Sequence, residues 1–269
     1  MSPSDTTPAT NQGTNAVEAR GLVKRFGPLL AIDGLDLTIP KGAFFAYLGP
    51  NGAGKSTSIA LMTGLLRPDA GTLRVMGLDI DADPIAVKQR IGVVPEELAL
   101  FERLTGRQQL IFCARMHGLS QDEANARADE LLQLTELESS QSRLVAQYSK
   151  GMRRKLAIAS ALIHAPGLVF LDEPFEGIDV IAAGVIRELL RELSARGVTL
   201  LLTTHVLEIA DRLATHAGII VKGRLVDQGP VNELKARHGV DSLERVFHQA
   251  VQFPSLTSAS LSFFPQARP

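Results

Sequence analysis

Apolar and polar residues alternate from Val17 to about Thr38, through "VEARGLV" and "LDLTI". Period-two alternation predicts strands half buried on a sheet, joined here by a turn at Phe26–Pro28. "AFFAYL" then runs apolar without a break, which predicts a strand buried on both faces. From Lys55 the stretch "KSTSIALMTGLL" takes on the spacing of an amphipathic helix. Residues 99–150 change character: "GRQQLIFCARMHGL" and "DEANARADELLQLTEL" read as amphipathic helices with little strand signal. Beyond them the alternation returns, with "GLVFLDEP" a strand, "AAGVIRELLRELSARG" a helix, "VTLLLTTH" a strand ending at His205 and "AGIIVKGRLVDQG" a closing hairpin. The pattern is that of an α/β chain carrying a helical insert.

Composition narrows this picture. A chain of 269 residues with 45% hydrophobic content can bury a sizeable core, and with no Trp the core is mainly aliphatic. Lys and Arg number 28 against 29 Asp and Glu. That balance excludes a general electrostatic footprint for nucleic acid. The one cysteine, Cys113, cannot form an intrachain disulfide and reads as an inert thiol in an apolar helix. "MSPSDTTPATNQGTNA" has neither a basic start nor an apolar run, so residues 1–16 read as a disordered leader rather than a secretory signal. No apolar run approaches the roughly 20 residues a bilayer requires. "LTSASLSFFPQARP" at the other end lacks periodicity and reads as a loose tail.

Candidate chemistry centres on "GPNGAGKST", residues 49–57, where Gly49, Gly54, Lys55 and Ser56 fill the pattern G-x-x-x-x-G-K-[ST]. Glycines let backbone N–H groups turn inward around phosphate oxygens, and the helix opening at Lys55 aims its positive end at the same anions. Lys55 adds a mobile charge, and the Ser56 hydroxyl suits Mg²⁺. The bare pattern arises by chance in roughly one chain in a hundred of this size. A buried strand before it and a helix after it make the nucleoside triphosphate reading the stronger one. In "LVFLDEP", Asp172 and Glu173 emerge at the carboxyl end of a buried strand, where open α/β sheets bind ligands. Alone the pair could equally be two solvated acids before Pro174. Beside a phosphate loop, Asp172 reads as a magnesium partner and Glu173 as the group that orients or deprotonates an attacking water. His205 would reach the same edge, although a strand-end histidine is more often structural. "YSKGM" places Ser149 and Gly151 at the mouth of a long helix, as a local cap or an anion site. Arg153–Arg154–Lys155 reads as a solvated face of that helix.

The phosphate loop, "IGVVPEE", "YSKGM", "LVFLDEP", "EGID" and "TTH", in this order, resemble the nucleotide-binding subunit of ATP-binding-cassette (ABC) transporters across residues 17–235. The resemblance implies an α/β P-loop NTPase cassette with a mixed-sheet core, an antiparallel β subdomain and a helical insert at about 99–150, followed by a C-terminal helix and tail over 236–269. It implies ATP and Mg²⁺ as cofactors. Phe26 would stack on adenine, and Gly49, Pro50, Asn51, Gly52, Ala53, Gly54, Lys55, Ser56 and Thr57 would cradle the phosphates. Ser56, Asp172 and Glu96 would surround the metal, with Glu173 and His205 catalytic. Two cassettes of this family dimerise head to tail, so Ser149 and Gly151 would meet the γ-phosphate held by the other subunit, with Asp179 of "EGID" at the interface.

This chain departs from the family at several points. Glu96 stands where Gln is common; a carboxylate still suits Mg²⁺ but adds negative charge. Lys150 and Met152 replace Gly and Gln, giving a form that looks like exporters whose permease is a separate chain. Val180 replaces a frequent Pro, and "SLERVF" (Ser242 to Phe247) resembles a closing helix of those exporters. The resemblance thus implies an ATPase at the cytoplasmic face of the cell membrane, partnered by an integral membrane permease and a second cassette, identical or not. The alternative is a soluble cassette acting on DNA or the ribosome, but no long coiled coil, tandem domain or basic surplus accompanies it. A GTPase lacks its Asn-Lys-x-Asp segment here, and a small-molecule kinase leaves "YSKGM" without purpose.

Overall fold

Two sheets share the strands of the described residues, and their division follows the hydrophobic pattern. The computed structural model describes residues 14–251. β1 (Asn15–Phe26) and β2 (Leu29–Pro40) form the hairpin that the alternation predicts, turning at Gly27–Pro28. β1 takes in Asn15 and the fully buried Ala16, both of which the sequence reading leaves to the leader. Residues 1–13 of that leader, and the tail from Leu256 onward, lie outside the described residues. β3 (Phe44–Leu48) follows, buried at all five positions, and runs into α1 (Lys55–Met62) through the glycine loop. β4 (Ala70–Val75) and β5 (Leu78–Asp79) join the hairpin to give an antiparallel sheet ordered β2-β1-β4-β5.

The short helix α2 (Pro84–Lys88) leads to β6 (Ile91–Val94). The helical insert then comprises α3 (Gly106–Met116) and α4 (Gln121–Leu134). Each begins in a capping box, Thr105 with Gln108 and Ser120 with Glu123, satisfying N–H groups that a helix start leaves free. α5 (Lys150–Leu162), β7 (Leu168–Asp172), α6 (Val180–Ala195) and β8 (Thr199–Thr203) complete the centre. After α7 (Leu207–Leu213), the hairpin of β9 (His216–Val221) and β10 (Arg224–Pro230) closes the second sheet. α8 (Val231–His238) and α9 (Leu243–Val251) pack in one cluster with Ala46 and Leu48 of β3 and Ala217 and Ile219 of β9, and α9 contains most of "SLERVF".

The second sheet is ordered β10-β9-β3-β8-β7-β6, with every neighbouring pair parallel except β10–β9. β3, β7 and β8 are covered on both faces, which is why they read as continuous apolar runs. Their side chains still alternate. Phe44, Val169, Leu171, Leu200 and Leu202 join a core shared with the insert, α5 and α6. Phe45, Tyr47, Phe170 and Leu201 join another beneath the antiparallel sheet. Because these strands are parallel, Leu48, Asp172 and Thr203 end them at one edge of the sheet, and the functional residues gather there.

Candidate active site

The glycine loop leaves β3 at that edge, and its tight passage explains its composition. A Cβ on Gly49 would sit 2.5 Å from the Ile220 carbonyl oxygen. Gly54 has φ +107° and would place a Cβ 2.8 Å from the Ala31 carbonyl oxygen. Neither position admits another residue without moving backbone. Lys55 folds over the loop, its Nζ donating to the carbonyls of Gly49 (2.7 Å) and Pro50 (3.2 Å). Burial lowers its pKa, while the charges of Glu173, Asp172 and Glu96 oppose that shift.

A cavity of about 940 Å³ opens against the loop. Asn51 to Thr57, Phe26, Glu96, Asp172, Glu173 and His205 all line it. Gly49 and Pro50 do not line it; they contribute the carbonyls that hold Lys55. Phe26, at the β1–β2 turn, is 45% exposed and lines this space, with Lys24 Nζ 5.8 Å from its ring centroid.

Consecutive strand residues ordinarily point to opposite faces. Asp172 and Glu173 nevertheless line one cavity, because Glu173 adopts φ +47° as the chain leaves β7. Its N–H donates to both the Thr203 hydroxyl (3.1 Å) and the Thr203 carbonyl (3.2 Å). Thr203, fully buried, donates its hydroxyl to Asp172 Oδ1 at 2.5 Å. His205 lies two residues past the end of β8, in the following loop rather than on the strand. Its Nδ1 is 3.0 Å from Glu173 Oε2, and its backbone N–H donates to that oxygen at 3.3 Å. Burial raises the Glu173 pKa, against the pull of His205 and Lys55.

Ser56, Asp172 and Glu96 offer the hard oxygen donors that suit Mg²⁺. Among the described residues no group of three or more His, Cys, Asp or Glu could hold a metal by itself. The hydroxyl and carboxylate oxygens would suit a magnesium ion that takes its other ligands from phosphate and water.

Ser149, Gly151 and Asp179 form a separate group that does not line this cavity. Ser149 caps α5, its hydroxyl accepting from the Met152 N–H at 3.2 Å. Asp179 caps α6, accepting from the Ala182 N–H at 2.8 Å, a bond that lowers its pKa. Gly151 fits between the two helix starts, where a Cβ would stand 2.8 Å from Ala182 Cβ and 3.3 Å from Asp179 Oδ2.

The basic run on α5 is not a solvated face. Arg154 and Lys155 are buried, and Arg153 pairs with Glu102 at 2.5 Å. Arg154 crosses to the loop after β6, donating to the carbonyls of Pro95 (3.1 Å) and Glu96 (3.2 Å). Apolar spacing gives no hint of this, since a buried guanidinium whose two terminal nitrogens reach backbone carbonyls leaves no mark in the pattern. Lys222 and Glu176 also line the cavity unforeseen, Lys222 from the β9–β10 turn. Cys113 is half-buried on α3, its thiol pushed up by burial and its Sγ accepting from Gln109 Nε2 at 3.4 Å.

A family model described as ABC transporter matches residues 32–176. The chain is 42% identical over 239 residues to the daunorubicin/doxorubicin resistance ATP-binding protein DrrA of Streptomyces peucetius, covering 89% of this chain and 72% of that protein. It is 36% identical over 227 residues to the linearmycin resistance ATP-binding protein LnrL of Bacillus subtilis, covering 84% of this chain and 73% of that protein. Among solved structures, an ATP-binding subunit of an ABC transporter superposes with TM-score 0.82 at 30% identity, covering 87% of this chain and 99% of that one. The dimeric post-hydrolysis cassette MJ0796, bound to ADP and Pi, gives 0.73 at 25% identity, covering 80% and 98%. With the phosphate loop, paired carboxylates and two-sheet architecture in place, the chain belongs to the ABC transporter family, as an ATP-binding and ATP-hydrolysing cassette.

Proposed function

We propose that this cassette powers an exporter, with two copies (or this chain and a related one) closing around two Mg²⁺·ATP and driving a separate integral membrane permease at the cytoplasmic face of the membrane. The observation that carries the reading is the split of the site. Lys55, Asp172, Glu173 and His205 line the nucleotide cavity, whereas Ser149 and Gly151 sit at a helix start outside it. One chain holds half of two composite sites, and a partner's Ser149 and Gly151 complete each by meeting the γ-phosphate. Shared nucleotides bind the closed dimer better than the open one, which is what a ligand-driven switch requires.

Ser56 and Asp172 would hold a magnesium ion, with Glu96 beside it, and the bound ion would supply positive charge against the phosphates. Lys55 binds the phosphate oxygens and Phe26 packs on the base. Glu173 accepts the proton of the attacking water as the bond from the γ-phosphorus to the ADP oxygen breaks. His205 orients that carboxylate.

A groove of about 510 Å³ runs between the loop after β6 and helices α3 and α5, with Phe112 and Met116 exposed along it. It suits an apolar segment of the permease, and Arg154 bonds the carbonyls of both Pro95, which lines this groove, and Glu96, which lines the nucleotide cavity. Export is favoured by the relatives, which include resistance ATP-binding proteins and a Nod factor export ATP-binding protein of Burkholderia lata. Co-purification from detergent-solubilised membranes, with partners identified by mass spectrometry, should return a polytopic protein, and Met116→Glu should lose it. Recovery of nucleic acid or ribosomal protein alone would overturn the proposal.

A further inference from the structure

Thr203 ends β8 between the two carboxylates, at a position where its three predecessors are buried leucines. Any β-branched apolar residue would fill that space, so the hydroxyl needs a reason. A fully buried hydroxyl is unfavourable unless bonded, and this one is bonded twice in the sense its chemistry allows. It donates to Asp172 Oδ1 and accepts from the Glu173 N–H.

The second bond falls on the residue whose backbone departs from the ordinary. Glu173 is a non-glycine residue at φ +47°, a conformation that persists only where surrounding contacts enforce it. That departure brings two consecutive carboxylates onto one cavity. Two acceptors of Thr203 hold the Glu173 N–H, and the same hydroxyl fixes one oxygen of Asp172, leaving the other for a metal.

We propose that Thr203 is a positioning residue of the hydrolytic site, its single hydroxyl setting the Asp172 rotamer and the Glu173 backbone together. Metal holding and water activation thereby depend on one buried group. The inference rests on the roles given above to Asp172 and Glu173.

The test compares Thr203→Val, of nearly the same shape, with Thr203→Ser in the full chain. Outer-shell partners of this kind typically change metal affinity or rate by about 10- to 100-fold. Thr203→Val should lower kcat by roughly that factor while KM for ATP stays within about twofold. The Mg²⁺ concentration giving half-maximal binding of a fluorescent non-hydrolysable ATP analogue should rise, and Thr203→Ser should restore both values. A purely structural role would lower the melting temperature without moving the Mg²⁺ dependence, and would overturn the proposal. So would a folded Val variant with wild-type kcat, or a Ser variant that restores nothing. If Thr203→Val does not fold, Thr203→Ala carries the same measurements. Glu173→Gln run alongside separates the two levels: full turnover there would overturn the reading of the site, whereas its loss beside an unaffected Thr203→Val overturns only the role of Thr203.

Discussion

His205 grips the Glu173 carboxylate from two directions, with ring Nδ1 3.0 Å and backbone N–H 3.3 Å from the same oxygen, Oε2. The other oxygen stays free for a water. Replacing Glu173 by Gln keeps the shape but removes the proton acceptor, so turnover should fall by about 10²- to 10⁴-fold with ATP binding retained. Steady-state ATPase assays paired with equilibrium nucleotide binding check both halves.

The acid limb of the rate profile should report the same carboxylate. Glu173 works as a base only when ionised, and burial raises its pKa above the ordinary 4.5. The rate should therefore fall as pH drops at a point above 4.5, and His205→Ala, which removes the ring that holds this pKa down, should shift that limb further upward. A limb unchanged in His205→Ala would show that the pair is not coupled.

Ser149 has a local task and a proposed distant one, and one substitution separates them. Asp caps helices about as well as Ser, so Ser149→Asp should leave unfolding free energy within about 0.5 kcal/mol of wild type. Its charge would face the γ-phosphate of the partner site, so ATP-driven dimerisation and ATPase activity should be lost. Gel filtration with ATP in the Glu173→Gln background reads the first effect directly.

Arg154 links α5 to the Pro95–Glu96 loop from a buried position. Arg154→Ala leaves two carbonyls without donors and a void, and should cost about 2–4 kcal/mol in urea unfolding. Arg154→Lys keeps the charge but loses the planar fork, so it should recover only part of that loss.

His164 stacks on His117 at 3.7 Å between ring centroids, with its Nε2 2.9 Å from the Ile91 carbonyl oxygen. Burial, then the charge of His117, pushes the His164 pKa down to about 4 from 6.5. The unfolded chain binds that proton more readily, so the stability contributed is complete above pH 6.5 and is lost as pH falls towards 4. The melting temperature should drop across that window, and His164→Phe, which keeps a ring on His117, should flatten the decline.

The sequence by itself determined most of the site's chemistry, because that chemistry is local. Phosphate binding needs glycines, Lys55 and Ser56 within one short loop, and the triplet of buried strands announces itself by unbroken apolar runs. The adjacency of Asp172 and Glu173 is also visible, as is their place at a strand end. What a linear pattern cannot carry is the meeting of residues far apart in sequence. Thr203 bonding Asp172, Arg154 reaching Glu96, and Lys222 entering the cavity all depend on strand order and helix packing. Buried polar groups are satisfied one contact at a time by whatever the fold brings near, and hydrophobic periodicity records only which face is dry. The left-handed turn at Glu173 belongs to the same class: tertiary hydrogen bonds from β8, not the local sequence, hold it.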